Sequence, residues 1–285
     1  MNDPRTYQIA ALSLLLAYGM TQLGFDVTPA RVAVILGSAL VAQWGWSRAR
    51  GIRFDPRSAA ISALSLCLLL RSNSWLLLLA AALIAVSSKF LVRVRGKHVF
   101  NPTNGAIVAL LLLTPQIWVS PGQWGNVAFF AFLIACLGGL VVNRASRSDV
   151  TYAFILFYGA LMIGRSLWLG EPMAIPLHRF QNGALLLFTF FMISDPKTTP
   201  DTRAGRILFA ALVAGGAWYW QFRLFRTNGL LWSLAACSLL VPLIDVVFRG
   251  RHYAWGAQSG KTAPPQLQGE PTCSLDASPS PSFSR

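Results

Sequence analysis

The sequence predicts an all-α integral membrane protein with about ten transmembrane helices. Three observations predict it. The chain of 285 residues is 54% hydrophobic and 12% charged, with a mean hydropathy of +0.52, too apolar for a soluble domain of that length. Apolar runs recur between charged or Pro/Gly-rich breaks, and most approach the 20 or so helical residues that cross a bilayer core. Lys and Arg outnumber Asp and Glu by 24 to 10 and gather in alternate breaks, which in an apolar chain reads as topology rather than as a nucleic-acid surface.

In order, the runs are 7–25, 30–46, 58–70, 75–92, 104–118, 126–143, 150–168, 180–194, 205–222 and 229–248. The first lacks a small-residue cleavage site and is expected to stay as a span. The third, fifth and eighth are short, and short segments at membrane depth are tolerated only where their ends are buried in protein or line a cavity. Breaks on one side carry Arg48, Arg50, Arg53 and Arg57, then Arg93, Arg95 and Lys97, then Arg144 and Arg147, then Lys197, Arg203 and Arg206, then Arg249 and Arg251. The positive-inside rule places that side, and both termini, in the cytoplasm of a bacterial inner membrane. Residues 1–256 then form a single transmembrane domain, and 257–285 a disordered, Pro/Ser-rich cytoplasmic tail. Ten spans divide into five and five, with a short helix third in each half. An odd number per half inverts the second, and paired short segments point to a central site.

Two polar stretches interrupt this pattern: F-N-P-T-N-G at 100–105 and S-D-P-K-T-T-P at 194–200. Each puts a small polar acceptor before a proline, which removes an amide donor and disfavours helix in the preceding residue. Asn101, Asn104, Asp195, Thr198, Thr199 and Asp201 are N-cap types, and 202–206 would open the ninth span. Alternatively, their amides and hydroxyls, with Lys197, Arg203 and Arg206, could cradle a phosphate or polarise a ring. The two readings are compatible.

Ionisable residues within or beside spans mark pathways or sites. Lys89 lies near the cytoplasmic end of the fourth span, where it could snorkel, and Asp245 has Arg249 one helical turn on. His178 and His98 are too isolated for a bis-His haem, and most tryptophans fall where an interfacial belt requires them. Trp218, Tyr219, Trp220 and Phe222 could also stack on a flavin ring. Cys67, Cys136, Cys237 and Cys273 are far apart, without the spacing of a zinc or iron–sulfur site. No metal motif, P-loop or Ser-His-Asp set appears, which leaves hydrolysis unsupported.

The motifs S-K-F-L-V-R-V-R-G-K-H-V-F-N-P-T-N-G from Ser88, F-F-M-I-S-D-P-K-T-T-P-D-T-R-A-G-R-I-L-F from Phe190, and V-P-L-I-D-V-V-F-R-G-R-H-Y from Val241, in that order, resemble the NqrB/RnfD family. These are membrane subunits of sodium-pumping NADH:quinone oxidoreductase and of the Rnf electron-transport complex. The resemblance implies a ten-helix fold with inverted repeats, a flavin cofactor (FMN or riboflavin), and electron relay coupled to ion movement. It further implies membrane lipids and other redox subunits as partners, with no role for nucleic acid. Carried over by motif, the cofactor-binding candidates are Asn101, Thr103, Asn104, Asn182, Asp195, Lys197, Thr198, Thr199 and Arg206; Lys89 and Asp245 serve an ion pathway or the structure. No residue is assigned a catalytic role and no metal is expected. The chain departs from the pattern after the fifth span, where the family's extracytoplasmic segment with its S-G-A-T-like threonine shrinks to T-P-Q-I-W-V-S-P-G-Q-W-G. Covalent FMN is therefore not expected, and any flavin should be held non-covalently. In this the chain is similar to compact members of the family, some found beside enediyne biosynthesis genes. Two alternatives stay open: a cofactor-free channel or transporter on the same fold, and a membrane anchor for a biosynthetic enzyme.

Overall fold

The computed structural model describes residues 3–120, 134, 137–139, 141–143 and 147–250. Most of the sixth expected span, the tail 257–285, Cys136, Cys273 and Arg144 lie outside the described residues.

The described chain is mainly helical. Four helices in its first half begin the same way, with a small polar residue followed by proline: α1 (Pro4–Thr21) after Asp3, α2 (Pro29–Ala49) after Thr28, α3 (Pro56–Leu69) after Asp55, and α5 (Pro102–Leu113) after Asn101. In each, the capping side chain accepts a hydrogen bond from a first-turn amide, while the proline takes a position whose N–H has no helical acceptor. Helix α4 (Trp75–Leu91) is capped by Ser74 instead.

Helix α3 stops at an extended segment, β1 (Leu70–Ser72), which pairs antiparallel with β4 (Ile117–Val119) beyond α5. Buried Arg71, opposite Trp118 in that register, turns its Nη1 back to the carbonyls of Cys67 and Leu70 at 2.8 and 2.7 Å. It thereby satisfies carbonyls at the end of a short, buried helix. Between α4 and α5 a small hairpin, β2 (Arg93–Val94) with β3 (Lys97–His98), turns at Arg95 and Gly96, both at positive φ.

The second half opens with α6 (Ser148–Leu169), the one described helix long and apolar enough to cross a membrane by itself. It is followed by α7 (Ala174–Phe180) and by α8 (Gly183–Leu187), which runs into a π-helical turn, Phe188–Met192. Helix α9 (Arg203–Phe222) packs along α6 and against α10 (Gly229–Ser238). Helices α10 and α11 (Val241–Val247) pass the length and hydropathy test only together and meet at a 49° bend. The expected tenth span is thus broken, with Pro242 just inside the second piece. Four further apolar helices are shorter than a full crossing: α3, α4, α5 and the α8–π segment.

The core is Leu, Ala, Val and Phe. Small residues allow close approach: a Cβ on Gly216 of α9 would run into the Oγ of Ser233 on α10, the kind of helix contact that apolar surroundings favour.

Candidate functional site

The two polar stretches meet. Asn101, 94 residues before Asp195, donates its Nδ2 to Asp195 Oδ2 at 3.2 Å while its Oδ1 accepts the Asn104 amide at 3.1 Å as the cap of α5. The other carboxylate oxygen of Asp195 accepts the Lys197 amide at 3.0 Å. Its backbone carbonyl accepts the amides of Thr198 and Thr199 at 3.2 and 3.1 Å, and their hydroxyls at 3.3 and 3.1 Å. Asp195-Pro196 therefore closes a compact turn instead of starting a helix. A second proline, Pro200, disfavours helix at Thr199, so the cap falls to Thr202. Burial pushes the Asp195 carboxyl above the ordinary carboxylate range, opposed by the Lys197 amide, the charges of Lys89 and Lys197, and the Asn101 amide. Burial pushes the Lys197 ammonium down in turn.

Lys89 reaches the first turn of α3. Its side chain is buried, and its Nζ donates to the Ser58 carbonyl at 2.7 Å and to Ser58 Oγ at 3.0 Å, at the start of α3. Asp245 likewise takes a partner other than Arg249. Lys97 bridges Asp245 Oδ2 at 2.7 Å and Asp201 Oδ1 at 3.0 Å, while Asp245 Oδ1 accepts the Asp201 amide at 2.9 Å. The hairpin carrying Lys97 thus ties the α9 entrance to α11. His98, beside it, has a buried Nδ1 with no hydrogen-bond partner, and burial with the nearby charges of Arg93, Lys89 and Lys197 pushes its imidazole down to about 4.

Thr103 donates to the Ser62 carbonyl at 3.3 Å, and Asn104 Nδ2 to the Leu231 carbonyl at 3.2 Å. The Oδ1 of Asn104 is buried without a hydrogen-bond partner. Arg206 forms a side-on pair with Asp149: Nε lies 2.9 and 2.8 Å from the two carboxylate oxygens and Nη2 2.5 Å from Oδ2. Of the cofactor-binding candidates, Asn101, Asp195, Lys197, Thr198 and Thr199 are brought together in one junction, which Asn104 joins through its backbone amide, while the side chains of Thr103, Asn104, Arg206 and Asn182 bond elsewhere.

The large cavity lies elsewhere. It encloses about 910 Å³ between β4, α6, α8 and its π turn, the end of α9 and the start of α10. Its walls include the rings of Trp118, Tyr158, Phe188 and Phe222; its polar groups include Gln221, Asn182 and Asn228, and its basic ones Arg179 and Arg226. Among the described lining residues there is no carboxylate. Tyr158 donates its hydroxyl to Gln221 Oε1 at 3.0 Å across this space. Asn182 caps α8 through the Ala184 amide at 2.8 Å, and Leu231, held by Asn104, is part of the wall. Asn182 is the one cofactor candidate from the sequence that lines the cavity. The others the sequence did not single out, except Phe222; the available signal was the cluster of Phe, Gln and Asn at the ends of the ninth and tenth spans. Trp218 and Trp220 instead bury their indole nitrogens without hydrogen-bond partners, and Trp220 stacks on Trp232.

Residues 117–254 match the family model described as the NQR2, RnfD, RnfE family. Every described lining residue of the cavity except Leu69 and Leu111 falls in that segment. Among curated proteins, an ion-translocating oxidoreductase complex subunit of Klebsiella pneumoniae is 33% identical over 138 residues, covering 46% of this chain and 36% of that protein. The proteins of the same name from Escherichia coli K12 and Citrobacter koseri are 31% and 30% identical over 135 residues, with the same coverage. The chain spans about a third of the length of the curated relatives it matches.

Proposed function

We propose, from the match of residues 117–254 to the NQR2, RnfD, RnfE family, that the chain is a membrane-embedded electron-transfer subunit holding a flavin non-covalently in the 910 Å³ cavity. The single observation that carries this reading is the coincidence of the family segment with an aromatic-walled cavity. Its relatives are named as subunits of an ion-translocating oxidoreductase complex, and partner subunits of such a complex are the proposed electron donor and acceptor.

The residues fit the group. An isoalloxazine needs apolar, aromatic faces and a few fixed polar groups at its edge. Tyr158 and Phe188 supply aromatic wall, and Gln221 and Asn182 the edge. Bound there, a flavin would supply the ability to take and pass one or two electrons. The hydrogen bond from Tyr158 fixes the orientation of Gln221, and the Asn104 bond to Leu231 fixes the wall behind. The junction of Asn101, Asp195, Lys197, Thr198 and Thr199 holds the entrance of α9 relative to α5, and Arg206 ties α9 to α6. In this reading the buried charges of Lys89, Asp195 and Asp245 are where ion movement would couple.

The proposed topology is ten spans in a 5+5 inverted repeat with both termini cytoplasmic. Its support is that the short α3 and α8 occupy matching third positions. A reporter fused after Gly256 is expected to be active only in the cytoplasm; an extracytoplasmic signal overturns the count.

The test of the flavin reading is the absorbance of protein purified from cells supplied with riboflavin, with Ala184→Phe as the cavity-filling control. Flavin bands in the wild type, lost in a folded Ala184→Phe protein, are expected. Their absence from the wild type counts against the reading. The bend between α10 and α11 favours one rival, a cofactor-free transporter built on broken helices, and solute or sodium flux in proteoliposomes without a redox donor would support it.

A further inference from the structure

Two cations and no carboxylate line the cavity among the described residues. Arg179, at the end of α7, and Arg226, in the turn between α9 and α10, both line it, yet neither has an acidic partner among the described residues. The neighbouring Arg165 shows what a satisfied guanidinium looks like here. It pairs with Glu171 at 2.7 Å and lies 4.5 Å from the centroid of Phe222. Arg179 lies 5.1 Å from the same ring, with the ring face as its described partner. Arg226 is exposed on a turn with two non-glycine residues at positive φ, Phe225 and Asn228, conformations that cluster at ligand sites.

We infer that Arg179 and Arg226 form an anion clamp at the mouth of the cavity, which takes the phosphate of a flavin mononucleotide and does by charge what a covalent phosphate anchor would otherwise do. This rests on the flavin reading of the cavity. The rings behind the mouth take the isoalloxazine, and the guanidiniums take the phosphate oxygens in the fork geometry they share with carboxylates and phosphates. No bond is made or broken.

The full-length protein in detergent is titrated with FMN and separately with riboflavin, following quenching of flavin fluorescence. FMN is expected to bind at least about tenfold more tightly than riboflavin, since charge-assisted contacts of this kind are worth that much. In Arg179→Gln with Arg226→Gln, FMN should weaken to the level of riboflavin, whose own affinity stays within about twofold. Arg179→Lys with Arg226→Lys should keep part of the preference, and thermal unfolding of each variant shows that it is folded. Equal binding of the two flavins by the wild type overturns the clamp and leaves the cavity reading standing, whereas binding of neither overturns both. Short-chain phosphatidylglycerol displacing FMN as well as excess FMN does would assign the two arginines to lipid headgroups and overturn the flavin assignment.

Discussion

Asn101 and Asp195 hold each other across 94 residues of sequence, amide to carboxylate at 3.2 Å. Every polar atom of these two side chains already has a use. Asp195 presents two acceptors to two donors, the Asn101 side chain and the Lys197 amide, while the other end of the Asn101 amide caps α5. A cap at 195 would have tolerated asparagine. An acceptor of two donors does not, because one of the oxygens becomes an NH2 that faces a donor. Reversing the Asn101 amide repairs that contact but removes the α5 cap.

Asp195→Asn is therefore expected to lower stability by about 1–2 kcal/mol, the cost of one buried hydrogen bond left unmade, while flavin retention by the folded fraction is unchanged. Thermal unfolding in detergent and flavin content per folded protein check the two halves. An unchanged unfolding midpoint would show that one oxygen of Asp195 is dispensable.

Lys97 pairs with both Asp201 and Asp245, whose side chains are 1% and 10% exposed. Lys97→Met removes the ammonium that both carboxylates contact, and breaking a buried pair costs about 3–5 kcal/mol. Adding Asp245→Asn removes one charge and keeps an oxygen for the Asp201 amide. The double variant should accordingly regain part of the lost stability in a denaturation series, and a double variant worse than the single one would argue against the triad.

Helix starts carry a local signal, although apolar length alone places those at Pro4, Pro29 and Pro56 one to three residues late. At Asp3-Pro4, Thr28-Pro29, Asp55-Pro56 and Asn101-Pro102, cap and proline act locally, so the dipeptide suffices. Asp195-Pro196 looks the same and behaves differently, because Pro200 four residues later stops the helix from propagating. The shortness of the third, fifth and eighth segments was readable as apolar length, and the break in the tenth less so, since leucines continue through it. The ionic partners were not readable. Asp245 has an arginine one turn away, yet its partner is Lys97, 148 residues earlier, and nothing in the periodicity of either segment encodes that distance. The cavity was equally hidden. Asn182 and Phe222 could be noticed as single residues, but the space between them is created by how α6, α8, α9 and α10 pack.

His98 supplies a pH dependence. Its folded-state value is pushed down from 6.5 to about 4, first by burial and then by Arg93, Lys89 and Lys197. A basic group with a depressed value contributes stability that is fully present above 6.5 and lost as pH falls toward about 4. The loss is at most on the order of 3 kcal/mol by the linkage relation. His98→Gln should flatten the difference in unfolding midpoint between about pH 7 and about pH 4.5, either side of most of that window, and parallel pH profiles for variant and wild type would remove His98 from the account.

Arg206 and Asp149 offer the cleanest coupling measurement. Asp149 lies in the first turn of α6, where a negative charge suits the helix dipole, but Arg206 lies in the first turn of α9, where a positive charge does not. The arginine is held there by three contacts with one carboxylate, and its Nη1 donates to the Asp201 carbonyl at 2.7 Å. Arg206→Gln and Asp149→Asn should each destabilise by about 2–3 kcal/mol, as charged hydrogen bonds of limited exposure do. The double variant should cost little more than either single one, which corresponds to a coupling of about 2 kcal/mol in the cycle. Arg206→Lys should recover less than half of the loss, because a single ammonium cannot present the side-on pair of donors that Nε and Nη2 give. Additive single-variant costs would mean that α6 and α9 are held together by their apolar contact alone.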